Sequence, residues 1–348
     1  MPRDLTILLP PNLRPSDWAR AHQNGEAPGL APYGLNLLAD QNIVVDYDSA
    51  RPAGRHPRNW AGIARPSRLR RSPGRETGRA AMAWDENMAV PLLARLGDSG
   101  RTLATGVIWA TDRLERGRTD IRDLALRRVL QQMDIVWCLS RGQLPLLRSW
   151  LDIDPDRVAF LPFGIDTDFY APRPWPTRPM VLSLGNDQDR DTETLYAALA
   201  QVHAARPDAR LIVQTRSPCP APTGVEVITA VETPRLLALY QAAAVVVVAT
   251  RPNVHVSGMT VCLEAGATGR PSVLSRTDGA ADYVLDQTTG VLVTPGDPAD
   301  HARAILSLLD DPDLAAQLGR NAREHVVTHH DQSVMCRSLA TLIFGARS

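Results

Sequence analysis

The residues best placed to do chemistry run from Val254 to Ala267, as Val-His-Val-Ser-Gly-Met-Thr-Val-Cys-Leu-Glu-Ala-Gly-Ala. Before them stands Ala242–Ala249, a short apolar run rich in valine. A run of that kind reads as a strand buried on both faces of a parallel sheet. Pro252, Asn253 and Ser257 break the pattern, and after Gly258 the apolar spacing is that of a buried helix. A strand, a short Ser-Gly loop and a helix start together make an anion site, where backbone N–H groups and the positive end of the helix dipole converge. Ser257, Gly258, Met259 and Thr260 are the candidate donors. Glu264 falls further into the helix, where a carboxylate can accept hydrogen bonds from sugar hydroxyls. An ordinary strand–helix turn with Glu264 on a solvated face would share this local pattern.

A second constellation lies at Leu184-Gly185-Asn186-Asp187-Gln188-Asp189-Arg190-Asp191, after another apolar run. Gly185 lets a phosphate come near, and Arg190 can grip a diphosphate through a bidentate, charge-assisted contact. Set opposite the Gly258 helix tip, Arg190 would stabilise the charge that builds on a departing nucleoside diphosphate. The plainer alternative is a surface arginine paired with Asp187 or Asp191.

Composition narrows the chemistry. All 38 basic residues are arginine and balance 38 acidic ones. Without lysine there is no Schiff-base chemistry and no lysine-type phosphate loop. A net charge of zero gives no global field that points to nucleic acid. Cys138, Cys219, Cys262 and Cys336 lack metal or redox spacing, and three of them lie in apolar segments, so free thiols and a cytoplasmic setting are expected. Leu5–Pro11 is apolar but short and carries no cleavage pattern. His325, His329 and His330 read as surface histidines rather than metal ligands, and no metal site is expected.

The elements that must position these residues alternate strand and helix along the whole chain. Leu5–Leu9, Asn42–Tyr47, Ala80–Trp84, Thr102–Trp109, Asp134–Leu139 and Arg157–Pro162 read as strands of a first half. Pro172, Pro174, Pro176 and Pro179 then make a stiff connector. The alternation resumes at Met180–Leu184 and ends in a helix over 332–344. These elements make an α/β chain of two doubly wound, Rossmann-like domains facing each other across a cleft. The boundaries expected are 1–170 and 171–330, with 331–348 a helix that packs back on the N-terminal domain. At the carboxyl edge of the first sheet Gly34, Asp85 and Trp109 are candidate acceptor contacts, and Asp112 is a candidate catalytic carboxylate, although a carboxylate there is often a helix cap. Arg51–Arg79 holds nine arginines, four prolines and one acidic residue. It reads as a solvated loop or, alternatively, as an arm for an anionic acceptor, a membrane surface or a partner. Asp166-Thr167-Asp168 has the form of an Asp-x-Asp metal motif, but its place beside the connector speaks against one.

These motifs, in this order, resemble the nucleotide-binding domain of glycosyltransferase family 4, whose fold is GT-B. The resemblance covers about residues 155–345. It rests on Leu161–Phe169, on Ser183-Leu184-Gly185 with Arg190-Asp191, on Ser257–Thr260 through Glu264-Ala265, on Gly269-Arg270-Pro271 and on Gly290–Pro298. The first half resembles the family only loosely, through strand order and Tyr33-Gly34-Leu35. The resemblance implies metal-independent, retaining transfer of a hexose-like sugar from a UDP-, GDP- or dTDP-sugar to a small-molecule or glycan acceptor. Arg190 would hold the diphosphate, Glu264 the ribose, and Gly258, Met259 and Thr260 the phosphate or sugar. Two positions depart from the family's pattern. Asn186 stands where an arginine is common, and His255 or Val256 stands where a first glutamate supports the donor sugar. His255 can supply a hydrogen bond there instead. Two other readings fit the same architecture: a sugar-nucleotide 2-epimerase, and a non-catalytic chain that activates a partner.

Overall fold

The computed structural model describes residues 3–52, 78–117 and 120–345. The Arg-rich stretch 51–79 therefore lies almost wholly outside the described residues.

The chain divides into two compact units. The first comprises Met1–His22, Gly29–Pro162 and Gln332–Ser348; the second comprises Gln23–Pro28 and Phe163–Asp331. Its elements in order are β1 (Arg3–Leu9), α1 (Pro15–Gln23), β2 (Ile43–Ser49), β3 (Arg79–Ala83), α2 (Glu86–Leu96), β4 (Thr102–Val107), α3 (Ala110–Glu115), α4 (Ile121–Leu130), β5 (Ile135–Cys138), α5 (Gln143–Leu151) and β6 (Val158–Phe160). There follow β7 (Met180–Ser183), α6 (Thr192–Ala205), β8 (Arg210–Gln214), β9 (Val225–Ile228), α7 (Thr233–Ala242), β10 (Val245–Val248) and α8 (Met259–Ala267). The last are β11 (Ser272–Ser275), β12 (Gly290–Val293), α9 (Pro298–Asp310), α10 (Pro312–His329) and α11 (Gln332–Phe344).

Each unit holds one six-stranded parallel sheet. The first runs β2-β1-β3-β4-β5-β6 and the second β12-β11-β10-β7-β8-β9. Strand order reverses between β1 and β3 in one sheet and between β7 and β10 in the other. In open α/β sheets the crevice at that reversal, outside the carboxyl ends of the strands, is where ligands bind. The second sheet places Ser183-Leu184-Gly185 and Thr250–Gly258 at its reversal. Burial explains the valine run: Val245 to Val248 are all fully buried between helix layers.

The division between units falls at Pro162/Phe163, eight residues before the boundary expected from the prolines. Hydrogen bonds hold Phe163–Tyr170 in the second unit. The Thr167 hydroxyl donates to Asp331 (2.7 Å), and Arg323 Nη1 donates to the carbonyls of Thr167 (2.7 Å) and Ala267 (2.9 Å). The proline connector is locked in turn by Arg270, whose buried guanidinium donates to the carbonyls of Arg173, Pro174 and Gln241 and lies 5.0 Å from the Trp175 ring centre. Asp166 folds its own turn, its Oδ1 accepting from the amides of Asp168 and Phe169, which leaves Asp-x-Asp a structural device. His330 corrects the expectation of a surface residue: it is buried, with Nδ1 2.9 Å from the Phe163 carbonyl.

In the first unit Glu86, at the start of α2, is buried. Its carboxylate accepts the amides of Ile108, Trp109 and Ala110, each at 2.9 Å. Burial raises its carboxyl, against the pull of the Ile108 amide. It thus fixes the turn from β4 into α3. Glu86→Gln turns one accepting oxygen into a donor and leaves an amide facing it. We expect a loss of about 1–2 kcal/mol in unfolding free energy, measured by urea denaturation; unchanged stability would remove Glu86 from this role.

Candidate functional site

The site in the second unit is built from two loops and one arginine. Gly185 follows β7 with φ 119° and Gly258 caps α8 with φ 89°, both in the region that favours glycine. The Arg190 guanidinium lies against both. A Cβ on Gly258 would stand 2.5 Å from Nη1, and one on Gly185 would stand 2.9 Å from Nε. The two glycines are therefore the walls of a slot that the guanidinium occupies. The backbone bridge Arg190–Thr250 ties the arginine's own segment to the end of β10.

The slot leaves donors unmet. Arg190 Nε and Nη1 are buried and make no hydrogen bond. Burial pushes the guanidinium below its ordinary value, with Cys262, Asp187 and Tyr240 opposing the shift. An arginine remains charged through such a shift. A buried cation with two unpaired N–H groups at a helix tip is the electrostatic form of an anion site.

The loop between β10 and α8 is set by its own side chains. Asn253 Oδ1 accepts the Ser257 amide (2.9 Å), and the Ser257 hydroxyl donates to Asp187 (2.7 Å). The Met259 amide goes to the Val256 carbonyl (3.0 Å). Both donors of Ser257 and the amide of Met259 are thus committed within the protein, which corrects their expected part as ligand donors. Gly258 and Thr260 remain as first-turn amides with which a ligand can pair. The Gly185 amide likewise goes to Gln214 Oε1 (3.0 Å), so Gly185 provides room rather than a donor. Val256 is buried at φ 53°, a strained conformation for a β-branched residue.

His255 is buried beside two aspartates, with Nε2 3.5 Å from Asp187 and Nδ1 3.9 Å from Asp189. Burial works against the charge of Asp187. Hydrogen bonds from His255, the Asp189 amide and the Ser257 hydroxyl outweigh it and hold its carboxyl well below the usual range. Asp187 is therefore the organiser of this loop and not the arginine's ion-pair partner.

Glu264 lies on α8 with both carboxylate oxygens occupied. Tyr170 donates to Oε1 (2.9 Å) and Tyr240 to Oε2 (2.6 Å). Both tyrosines are buried. Burial lifts the Glu264 carboxyl to about 7, against the pull of Tyr240 and Tyr170. Asn186 is exposed, and a cavity of about 360 Å³ opens beside it, lined also by Gln188, Arg190, Thr215, Arg216 and Arg251.

Residues 178–311 match the family model described as glycosyl transferases group 1. The matched segment lies within the second unit. Over 203 residues the chain is 32% identical to D-inositol 3-phosphate glycosyltransferase 2 of Catenulispora acidiphila, covering 49% of this chain and 47% of that one. It is 28% identical over 254 residues to alpha-maltose-1-phosphate synthase of Mycolicibacterium smegmatis, covering 63% and 65%. The chain spans about half to two thirds of the length of these two relatives. In fold it is similar to sucrose-phosphate synthase of Thermosynechococcus elongatus, with a TM-score of 0.71 at 20% identity over 98% of each chain. It is also similar to the Anabaena protein HepE in complex with UDP and glucose, with a TM-score of 0.67 at 15% identity over 98% and 99%. The fold is that of the GT-B glycosyltransferases.

The first unit of this GT-B chain treats the candidate acceptor residues unequally. Gly34 is buried, with φ 67°, and Gln332 of α11 closes over it. Cys336 Sγ also donates to its carbonyl (3.3 Å). Gly34 therefore lets α11 approach, and the expected acceptor contact is corrected to a packing role. Asp85 caps α2 by accepting the Asn87 amide (2.8 Å). Asp112 is buried inside α3. Trp109 alone of the four is exposed, and its backbone is fixed by Glu86. Next to Asp85 in sequence, Trp84 stacks on Tyr33 with ring centres 4.3 Å apart.

Sequence reading missed four parts of the second unit. Tyr170 and Tyr240 carry no local signal, because their partner is remote in sequence. His301 is buried with Nε2 3.1 Å from Ser275 Oγ, which accepts the Thr250 amide (2.9 Å) and so braces the end of β10. Asp187 was legible only as a possible partner of Arg190. No described helix is long and apolar enough to cross a membrane, and the four cysteines are free thiols.

Proposed function

We propose that the chain is a retaining glycosyltransferase that moves a sugar from a nucleoside-diphosphate sugar to an acceptor hydroxyl. The observation that carries the reading is the buried guanidinium of Arg190, unpaired at two nitrogens and seated against the tip of α8. A diphosphate fits that need: its oxygens accept from Arg190 and from the amides of Gly258 and Thr260. Glu264 accepts the ribose hydroxyls, and the cavity beside Asn186 and Arg216 takes the base. As the bond between the anomeric carbon and the diphosphate oxygen breaks, negative charge grows on the leaving diphosphate. Arg190 and the helix tip are fixed donors aimed at that charge, so their stabilisation needs no reorganisation. His255, in a place where the family commonly has a glutamate, orders the Asp187–Ser257 loop and faces the sugar end. The first unit presents the acceptor, with the exposed Trp109 ring as its platform.

Mass spectrometry of the protein with a panel of UDP-, GDP- and dTDP-sugars and a mixture of polyol and glycan acceptors tests the reading. A glycosylated product with release of nucleoside diphosphate is expected. An epimerised nucleotide sugar formed without acceptor would overturn it. The coupling constant of the product's anomeric proton checks retention.

A further inference from the structure

Glu264 is the one acidic side chain on α8, and two tyrosines from separate segments reach it. Tyr170 comes from the segment before the proline connector and Tyr240 from α7. Both are buried, at 3% and 0% exposure, so neither hydroxyl can turn to bulk water. A carboxylate oxygen has two lone-pair directions. One on each oxygen is spent on a tyrosine, which leaves a fixed pair for a ligand.

We propose that Tyr170 and Tyr240 are positioning residues that hold Glu264 in its ionised, ribose-accepting form and so set the pH range in which the donor binds. The proposal rests on the reading of Glu264 as the ribose ligand. A ribose diol donates two hydrogen bonds and needs an acceptor; a protonated carboxyl has lost part of that capacity. The tyrosine hydroxyls favour the ionised form, and burial opposes it.

The other titratable groups around the carboxylate do not take over this task. Arg190 lies against Gly258 at the helix tip. Cys262 is a buried thiol that burial pushes up to about 11. Arg323 of α10 spends its guanidinium on the carbonyls of Thr167, Tyr170 and Ala267. Asp166 acts on Tyr170 and spends Oδ1 on its own turn. Removing one hydroxyl therefore removes about half of what favours the carboxylate.

The test is isothermal titration from pH 5.5 to 9 with whichever of UDP-glucose, GDP-mannose and dTDP-glucose binds the wild type. Nucleotide sugars are used because a terminal phosphate itself ionises near pH ~6. Wild-type affinity should rise with pH through about 7 and then level. Tyr240→Phe should move that midpoint up by about one pH unit, which weakens binding about fivefold at pH 7 and restores it near pH 9. Tyr170→Phe should do the same, which guards against a folding defect in either variant. Glu264→Gln should bind weakly and without pH dependence.

A uniform loss at every pH in the tyrosine variants, or an unmoved midpoint, overturns the inference while leaving the ribose reading intact. If Glu264→Gln binds as the wild type does, the ribose reading itself fails. Failure of all three nucleotide sugars to bind removes both.

Discussion

Arg190→Ala should lower kcat/KM for glycosyl transfer by about 10²–10³-fold, equivalent to about 3–4 kcal/mol of transition-state stabilisation. The same variant should bind the intact nucleotide sugar about 10–100-fold more weakly, since a charged hydrogen-bonding group contributes about 1.5–3 kcal/mol. The catalytic loss exceeds the binding loss because the diphosphate carries more negative charge as it leaves than in the intact donor. Stability should change in the other direction, or not at all. The wild type keeps two guanidinium nitrogens buried without partners, and alanine relieves that penalty. A binding loss together with an unchanged or raised melting temperature separates a ligand role from a structural one. Binding and turnover that survive Arg190→Ala would take the diphosphate site elsewhere. Arg190→Lys is expected to restore little, because a point charge cannot reproduce the planar fork lodged between Gly185 and Gly258.

The same arginine shows what a sequence can and cannot disclose. Gly185, Arg190 and Gly258 announced themselves because each is a local exception: a glycine at a strand end, a charge in a short loop, a glycine opening an apolar helix. Their juxtaposition follows from strand order, since β7 and β10 are neighbours at the reversal of the sheet. The alternation of apolar runs with helical spacing made both sheets legible for the same reason. What stayed hidden depends on contacts between distant residues. Glu86 looks like any first-turn acid, yet three amides from 22 to 24 positions away converge on it. Tyr170 and Tyr240 meet on Glu264 over separations of 94 and 24 residues, and no local pattern encodes that meeting. Gly34 misled in the opposite sense: a glycine at a ligand edge suggested room for an acceptor, and α11, 298 residues later, fills the room.

Glu264 gives the second large effect, read in stability rather than turnover. Its folded carboxyl is raised to about 7 from an ordinary 4.5. The folded state therefore holds this proton more tightly than the unfolded chain does. Its stabilising contribution is complete below about pH 4.5, declines as pH rises from there towards 7, and is gone above that. The window corresponds to about 3 kcal/mol. Glu264→Gln has no such proton, so the difference in unfolding free energy, variant minus wild type, should climb by about 3 kcal/mol between pH 4.5 and 8. Asp187, whose carboxyl is depressed below its ordinary value, stays ionised across that range and adds no slope of its own. Urea denaturation across that range measures the difference, and a flat difference would mean that the carboxylate is not held at a cost. The prediction ties stability to function, because towards neutral pH the variant should lose less stability than the wild type and yet bind a nucleotide sugar less well. A buried carboxylate kept ionised against its surroundings is a local weakness that a ribose, donating two hydrogen bonds, would relieve.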